Sequence, residues 1–220
     1  MTFKAALFDM DGTLLDSIDV WDNIDRAFFA RRNISLPSDY SRSIAGLTFR
    51  QTGEYTKERF HLPESVDEIL AEWDSMCVDA YQNDVQLKPF AKEYLLYLKS
   101  RNIRLAIATT LSERLYVPVL KRTGIYDLFE AFSSADETGE SKGTGTIYRM
   151  TAAKLNVPCS ECVVFEDIED GLLGAHRAGM LAYCVHDDAS HCDKAHARII
   201  CDKYINSFEE LLKEAAEFGY

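Results

Sequence analysis

Apolar and polar positions change their spacing along this chain, and each change marks an element. Ala5-Ala6-Leu7-Phe8 is a short apolar run that stops at Asp9. Its length, with the Asp11-Gly12 pair behind it, predicts a buried strand followed by a turn. Between residues 17 and 82 no convincing strand pattern occurs. Ile18, Trp21, Ile24, Phe28 and Phe29 fall on one helical face, and Val66, Ile69, Leu70, Trp73 and Cys77 do the same further on. Ser65 and Glu68 have the spacing of a capping box at the start of that second helix.

Beyond Pro89 strand and helix patterns alternate. Phe90, Tyr94, Leu95 and Leu98 form an amphipathic stripe, and residues 105–108 read as a strand ending at Thr109-Thr110. Residues 113–123 return to helix and stop at Gly124. A strand is expected at 131–134, a helix at 146–156, and a strand at 162–165 ending in Glu166-Asp167. Leu172, Leu173, Ala175 and Ala178 lie on a helix closed by Gly179. Strands follow at 181–185 and at Tyr204-Ile205, and Ser207 with Glu210 is expected to box the start of the final helix. Near-continuous apolar strands alternating with helices predict an α/β fold: a Rossmann-like parallel sheet core flanked by helices, with an inserted all-helical cap domain. The expected division is a core of residues 1–15 and 88–220 and a cap of residues 16–87.

Composition narrows the function. The chain has 220 residues, 24 Lys and Arg against 36 Asp and Glu, and a formal net charge of −12. Such a balance disfavours nucleic acid and anionic membrane as partners. No run approaches the roughly 20 apolar residues of a membrane span. The six cysteines are scattered rather than arranged as a disulfide framework, so a reduced, cytoplasmic protein is expected. Cys159-x-x-Cys162 is half of a structural zinc site, with Cys192, His186, His191 and His196 as remote candidates for the rest. Cys162 opens a buried strand, which favours packing over ligation.

Parallel strands bring their carboxyl ends to one edge, where ligands of open α/β sheets bind. Asp9, Asp11 and Thr13 follow the first strand, Thr109 and Thr110 a second, Glu166 and Asp167 a later one, and Lys142 precedes a helix. Four carboxylates gathered there repel unless a hard divalent cation neutralises them, and Mg²⁺ takes carboxylates together with phosphate oxygens and water. Thr109, nearby amides and Lys142 can hold a phosphate. A calcium loop starting at Asp9 would need Gly and Glu where Leu14 and Val20 stand, so that reading fails.

Phe8-Asp9-Met10-Asp11-Gly12-Thr13-Leu14-Leu15-Asp16-Ser17, the strand ending in Thr109-Thr110, Lys142, and Val164-Phe165-Glu166-Asp167 with Gly171 occur in the order of the haloacid dehalogenase superfamily motifs. The chain resembles the helical-cap hydrolases of that superfamily (subfamily I), the group of β-phosphoglucomutase and small sugar-phosphate phosphatases. The resemblance implies Asp9 as the nucleophile that forms an aspartyl-phosphate and Asp11 as general acid and base. It implies Mg²⁺ on Asp9, the Asp11 carbonyl, Glu166 and Asp167, and phosphate on Thr109, the Thr110 amide and Lys142. Gly46, Arg50 and Trp21 stand where relatives select substrate, and Arg50 is expected to grip a second anionic or hydroxyl-rich part of it. Three features depart from the pattern. Gly143-Thr144-Gly145 follows Lys142 in place of Pro-x-Pro, so small residues are expected to bring amides near the phosphate. Trp21 replaces the histidine of the mutases, and Thr13 the non-hydroxylic residue some of them carry. Trp21 and Thr13 favour a hydrolase over a phosphosugar mutase, and intact Asp9 and Asp11 count against a non-catalytic phospho-ligand binder, so a Mg²⁺-dependent phosphatase of a small phosphorylated metabolite, a sugar phosphate, is expected. A monomer is expected.

Overall fold

The computed structural model describes residues 3–44, 46–190 and 192–217. His191, one of the candidate zinc partners, lies outside the described residues. The strands are β1 (Ala5–Phe8), β2 (Leu15–Asp16), β3 (Gln86–Leu87), β4 (Arg104–Thr109), β5 (Ala131–Ser134), β6 (Cys162–Glu166), β7 (Leu181–Val185) and β8 (Lys203–Ile205). The helices are α1 (Ile18–Ala30), α2 (Tyr40–Ile44), α3 (Phe49–Phe60), α4 (Val66–Asn83), α5 (Ala91–Ser100), α6 (Glu113–Arg122), α7 (Ala135–Thr138), α8 (Thr146–Leu155), α9 (Glu169–Arg177), α10 (Lys194–Ile200) and α11 (Phe208–Glu217). Six strands make one all-parallel sheet in the order β5-β4-β1-β6-β7-β8. No helix among the described residues is long and apolar enough to cross a membrane.

The central strands are apolar on both sides because helices cover both. Alternation sorts their side chains. Ala5 and Leu7 of β1, Ala106 and Ala108 of β4, and Cys162 and Val164 of β6 face Ile147, Tyr148, Leu155 and Leu172 of α8 and α9. Ala6 and Phe8, Leu105 and Ile107, and Val163 and Phe165 face the opposite way, toward Tyr94, Leu95 and Leu98 of α5 and Phe208 and Leu211 of α11. Phe8 stacks on Phe165 with centroids 4.5 Å apart, and Phe208 closes over both. The first face is lined by small residues, so α8 and α9 approach the sheet closely.

The helical expectation for residues 17–82 gives α1 to α4. Ser65 and Glu68 form the expected reciprocal box: the Glu68 N–H donates to Ser65 Oγ at 3.3 Å, and the Ser65 N–H to Glu68 Oε2 at 2.7 Å. The expected box at the last helix is displaced by one residue. Ser207 Oγ accepts from the Glu209 N–H, and Glu210 accepts from the backbone and side chain of Asn206. The orphan donors are satisfied either way. Sequence pattern also passed over β2 and β3, since two residues are too few to display a period. These strands pair antiparallel, Leu15 with Leu87 and Asp16 with Gln86, and the Lys88 N–H extends the ribbon to the Leu14 carbonyl. The ribbon sets the entry to α1 and the exit from α4 side by side, beneath the site.

Phe208 makes ring contacts with Phe8, Tyr94 and Phe165. Phe208→Ala should lower stability by about 3–5 kcal/mol. The check is a fall in the urea midpoint with an unchanged denaturant slope.

Candidate active site

Strand parity carries the first two carboxylates to the same place. Asp9 continues the parity of Ala5 and Leu7, and Glu166 that of Cys162 and Val164. The register sets Phe8 beside Phe165, and the Asp9 N–H donates to the Phe165 carbonyl at 3.0 Å. Both carboxylates therefore emerge on the α8 face, where Lys142 waits. Its Nζ lies 2.5 Å from Asp9 Oδ1 and 2.6 Å from Glu166 Oε1, and Lys142 is 1% exposed. The Tyr148 hydroxyl donates to the same Glu166 oxygen at 2.7 Å. Asp167 completes the group, with Thr13 donating to its Oδ1 at 3.3 Å. Ligand atoms of Asp9, Glu166 and Asp167 all lie within 4.8 Å of one another.

Three buried carboxylates face one ammonium, and their proton affinities show the imbalance. Burial pushes Asp9 above the usual carboxylate range, against the pull of Lys142. Burial and the Asp9 charge push Glu166 up to about 7. Burial, with Glu166 and Asp9 as neighbours, raises Asp167 well above its ordinary value. Burial alone would lower Lys142, but Asp9 and Glu166 outweigh it and hold it charged. Among the described residues no hydrogen bond reaches Asp167 Oδ2, which is buried. An orphaned carboxylate oxygen among convergent hard donors fits a divalent cation.

Asp11 has other surroundings. It accepts from Ser17 Oγ at 2.6 Å, Tyr81 Oη at 2.5 Å and Trp21 Nε1 at 3.0 Å. Burial raises its pKa, and these three donors offset part of the rise. Trp21 and Tyr81 come from α1 and α4, so helices of the inserted segment hold a carboxylate of the sheet edge. Trp21 was expected to select substrate; its indole N–H is spent on Asp11 and on Tyr81 Oη. Tyr81 continues the Trp73-Cys77 face at helical spacing, and the sequence offered no sign that it was more than core.

The remaining expected residues divide. Thr109 is buried, and its Oγ1 accepts from the Leu111 N–H at 3.0 Å. Thr110 lines the cavity described below. The glycines after Lys142 behave differently from expectation. The Gly143 N–H is taken by Asp170 Oδ2 at 3.0 Å, and a Cβ on Gly143 would stand 2.1 Å from Asp170 Oδ1. Asp170 thus pins the loop instead of only facing a helix dipole. Gly46 meets the same carboxylate from the other side: it has φ +79°, a Cβ there would fall 2.3 Å from Asp170 Oδ2, and its carbonyl accepts from the Lys142 N–H at 3.2 Å. Arg50 is not brought to the site. It is exposed and paired with Asp67 at 2.7 Å.

A cavity of about 490 Å³ opens between the sheet edge and the inserted helices. Asp11, Thr110 and Asp167 line its floor, and Trp21, Asp25, Phe49 and Trp73 belong to the helical side. Asp9, Glu166 and Lys142 form the buried layer beneath. The helical side is also fastened to the core at α3: Thr48 and Gln51 box its N-terminus, and Asp136 lies against the Phe49 and Arg50 amides and the Thr48 hydroxyl.

A family model described as "Hydrolase: haloacid dehalogenase-like hydrolase" matches residues 3–179. The phosphorylated carbohydrates phosphatase of Thermotoga maritima is 26% identical over 177 residues, 80% of this chain and 82% of that protein. Hexitol phosphatase B of Escherichia coli (strain K12) is 27% identical over 214 residues, 94% and 93% of the two chains. A crystal structure of a mutant CbbY from Rhodobacter sphaeroides in complex with xylulose-(1,5)bisphosphate superposes with a TM-score of 0.81 at 22% identity, covering 95% of this chain and 96% of that one.

Asp25 offers a direct test of the electrostatics. It is 7% exposed, and burial with the neighbouring Asp22 carboxylate pushes its pKa from 3.8 up to about 7. A raised carboxyl binds more protons folded than unfolded, so its penalty is absent below pH 4 and grows as pH rises toward 7. Asp25→Asn should therefore stabilise the protein by up to about 4 kcal/mol above pH 7 and by little at pH 4. Thermal melts at the two pH values check this.

Proposed function

The chain belongs to the haloacid dehalogenase-like hydrolases, and we propose that within this family it is a Mg²⁺-dependent phosphatase of a small phosphomonoester, a sugar phosphate. The observation that carries the reading is the buried set of Asp9, Glu166 and Asp167 around Lys142, with Asp11 held apart at the cavity wall. Phosphatases of carbohydrate phosphates among the relatives support the same chemistry.

In this reading Asp9 attacks phosphorus, and the leaving oxygen takes its proton from Asp11. The bond from phosphorus to the leaving group breaks as the aspartyl-phosphate forms. Burial favours the protonated Asp11 that the first step requires. Once ionised, Asp11 removes a proton from water, which hydrolyses the acyl phosphate and regenerates Asp9. Tyr81, Trp21 and Ser17 keep both Asp11 oxygens oriented through this exchange. Lys142 fixes the attacking carboxylate and offsets negative charge around phosphorus. Asp9, the Asp11 carbonyl, Glu166 and Asp167 would hold Mg²⁺, which supplies charge neutralisation to the transferring phosphoryl group. Thr109, Thr110 and Lys142 would hold the phosphate. Residues 16–87 would act as the cap that encloses the substrate and excludes bulk water. The reading has the chain act as a monomer in the cytoplasm; the free thiols among its described cysteines suit a reducing compartment.

Asp9→Asn should reduce phosphate release from p-nitrophenyl phosphate by about 10³-fold or more. Retention of most turnover would sink the nucleophile assignment. Chelation with EDTA should abolish release and added Mg²⁺ restore it. The cation should also raise the melting temperature of the wild type, and less so that of Asp167→Asn, since only a folded site gathers the ligands.

A further inference from the structure

Two hydroxyls stand beside Asp167, and they come from distant parts of the chain. Thr13, in the turn after β1, donates to Oδ1 at 3.3 Å. Ser190, beyond the end of β7, lies against the same carboxylate, where its hydroxyl eases the cost of burying the charge. Asp167 and Ser190 both line the large cavity, and with Asp187 and Cys192 they also line a second one of about 10 Å³. A space the size of a single water holds these side chains close together.

Asp187 holds the backbone at Ser190. Its Oδ1 accepts from the Ala189 N–H at 2.8 Å and the Ser190 N–H at 3.0 Å. Its Oδ2 pairs with Lys88 Nζ at 2.7 Å, and the same ammonium donates to the His186 carbonyl at 2.8 Å. The two side chains are only 11% and 5% exposed. Lys88 directly follows β3, and its N–H donates at 2.9 Å to the carbonyl of Leu14, the neighbour of Thr13. One residue therefore anchors both hydroxyls. Its backbone holds the turn that carries Thr13, and its side chain holds the segment that carries Ser190. A buried ion pair is a poor source of stability, because desolvation of two charges cancels much of their attraction, and apolar side chains of like volume would hold the fold as well. What this pair supplies is direction. An ammonium bonded to two acceptors and a carboxylate bonded to three donors fix the backbone of residues 186–190.

Resting on the phosphatase reading, we propose that Lys88, Asp187 and Ser190 are positioning residues for the divalent cation: the buried Lys88–Asp187 pair sets Ser190 against Asp167 and so fixes the orientation in which that carboxylate meets the ion. None of the three takes part in making or breaking a bond. Lys88 acts through Asp187 and Ser190, and the exit strand of the helical insert is thereby tied to a cation ligand.

The test reads Mg²⁺ affinity without substrate, from the rise in melting temperature against Mg²⁺ concentration. Ser190→Ala and Lys88→Met should each weaken Mg²⁺ binding by about 10-fold. The double variant should be weaker than either single one by less than about threefold, because Lys88 works through Ser190. With p-nitrophenyl phosphate, kcat of Lys88→Met at saturating Mg²⁺ should stay within about threefold of the wild type, so that the loss lies in the cation and not in the chemical step. If Lys88→Met does not fold, Asp187→Asn, which keeps an acceptor for the two amides, takes its place in the same cycle. A melting temperature lowered in the absence of Mg²⁺ with an unchanged Mg²⁺ affinity marks a structural role and overturns the proposal. Losses that multiply in the double variant overturn the route through Ser190. Mg²⁺-dependent hydrolysis by a wild type whose variants bind the cation equally well removes the positioning role and leaves the phosphatase standing. A wild type that neither responds to Mg²⁺ nor hydrolyses the ester removes both.

Discussion

Everything at the sheet edge answers to one constraint: three carboxylates are buried within ligand distance of each other around a single ammonium. Like charges in a medium of low polarity repel strongly. The chain meets that repulsion with Lys142, with hydrogen bonds from Tyr148 and Thr13, and with room for a cation at Asp167 Oδ2. The backbone has been cut to fit. At Gly12, where φ is +73°, a Cβ would lie 2.4 Å from Asp167 Oδ2, and at Gly171 a Cβ would lie 2.3 Å from Glu166 Cδ. These glycines sit where they do because the carboxylates take up the space.

The same economy ties the inserted helices to the chemistry. Asp11 belongs to the loop after β1, yet two of its three side-chain donors come from α1 and α4. Withdrawal of those helices would leave Asp11 with Ser17 alone and with more water around it, and its proton affinity would change. Asp136 against the start of α3 and the Gly46 carbonyl on the Lys142 amide add contacts that exist only while the segment rests on the core. On the proposed reading, enclosure of substrate and orientation of the acid are thus one event. A fold that separated them would risk proton loss to solvent before the leaving group was in place.

Much of this was legible in the residues themselves. The apolar runs at 5–8, 105–108 and 162–165 are continuous because both faces are covered, and their ends carry the acids, so parity and parallel packing predict the meeting of Asp9, Glu166 and Lys142. The partners of Asp11 were not legible. Tyr81 has the spacing of a core residue, and its function depends on how far α4 reaches over the sheet, which no local pattern encodes. Arg50 differs in the opposite sense. Its charge suggested a substrate contact, but its place in the first turn of α3 turns it to Asp67 and solvent. The loop of Gly143 shows the limit of reading a motif by its small residues: their smallness serves Asp170, which lies 27 positions on.

The net charge of −12 takes on a different meaning once the acids are placed. A phosphate approaching this molecule is repelled by the sum and attracted only where the sum is locally reversed. Lys142 alone cannot reverse it, since Asp9 and Glu166 already claim both of its close contacts. A divalent cation beside Asp167 can. On the proposed reading the cation makes the floor of the cavity attractive to a small anion, while the helical wall carries Asp22 and Asp25 beside the exposed Arg42. On that reading such a field orients a phosphomonoester before any contact forms, phosphate toward the cation.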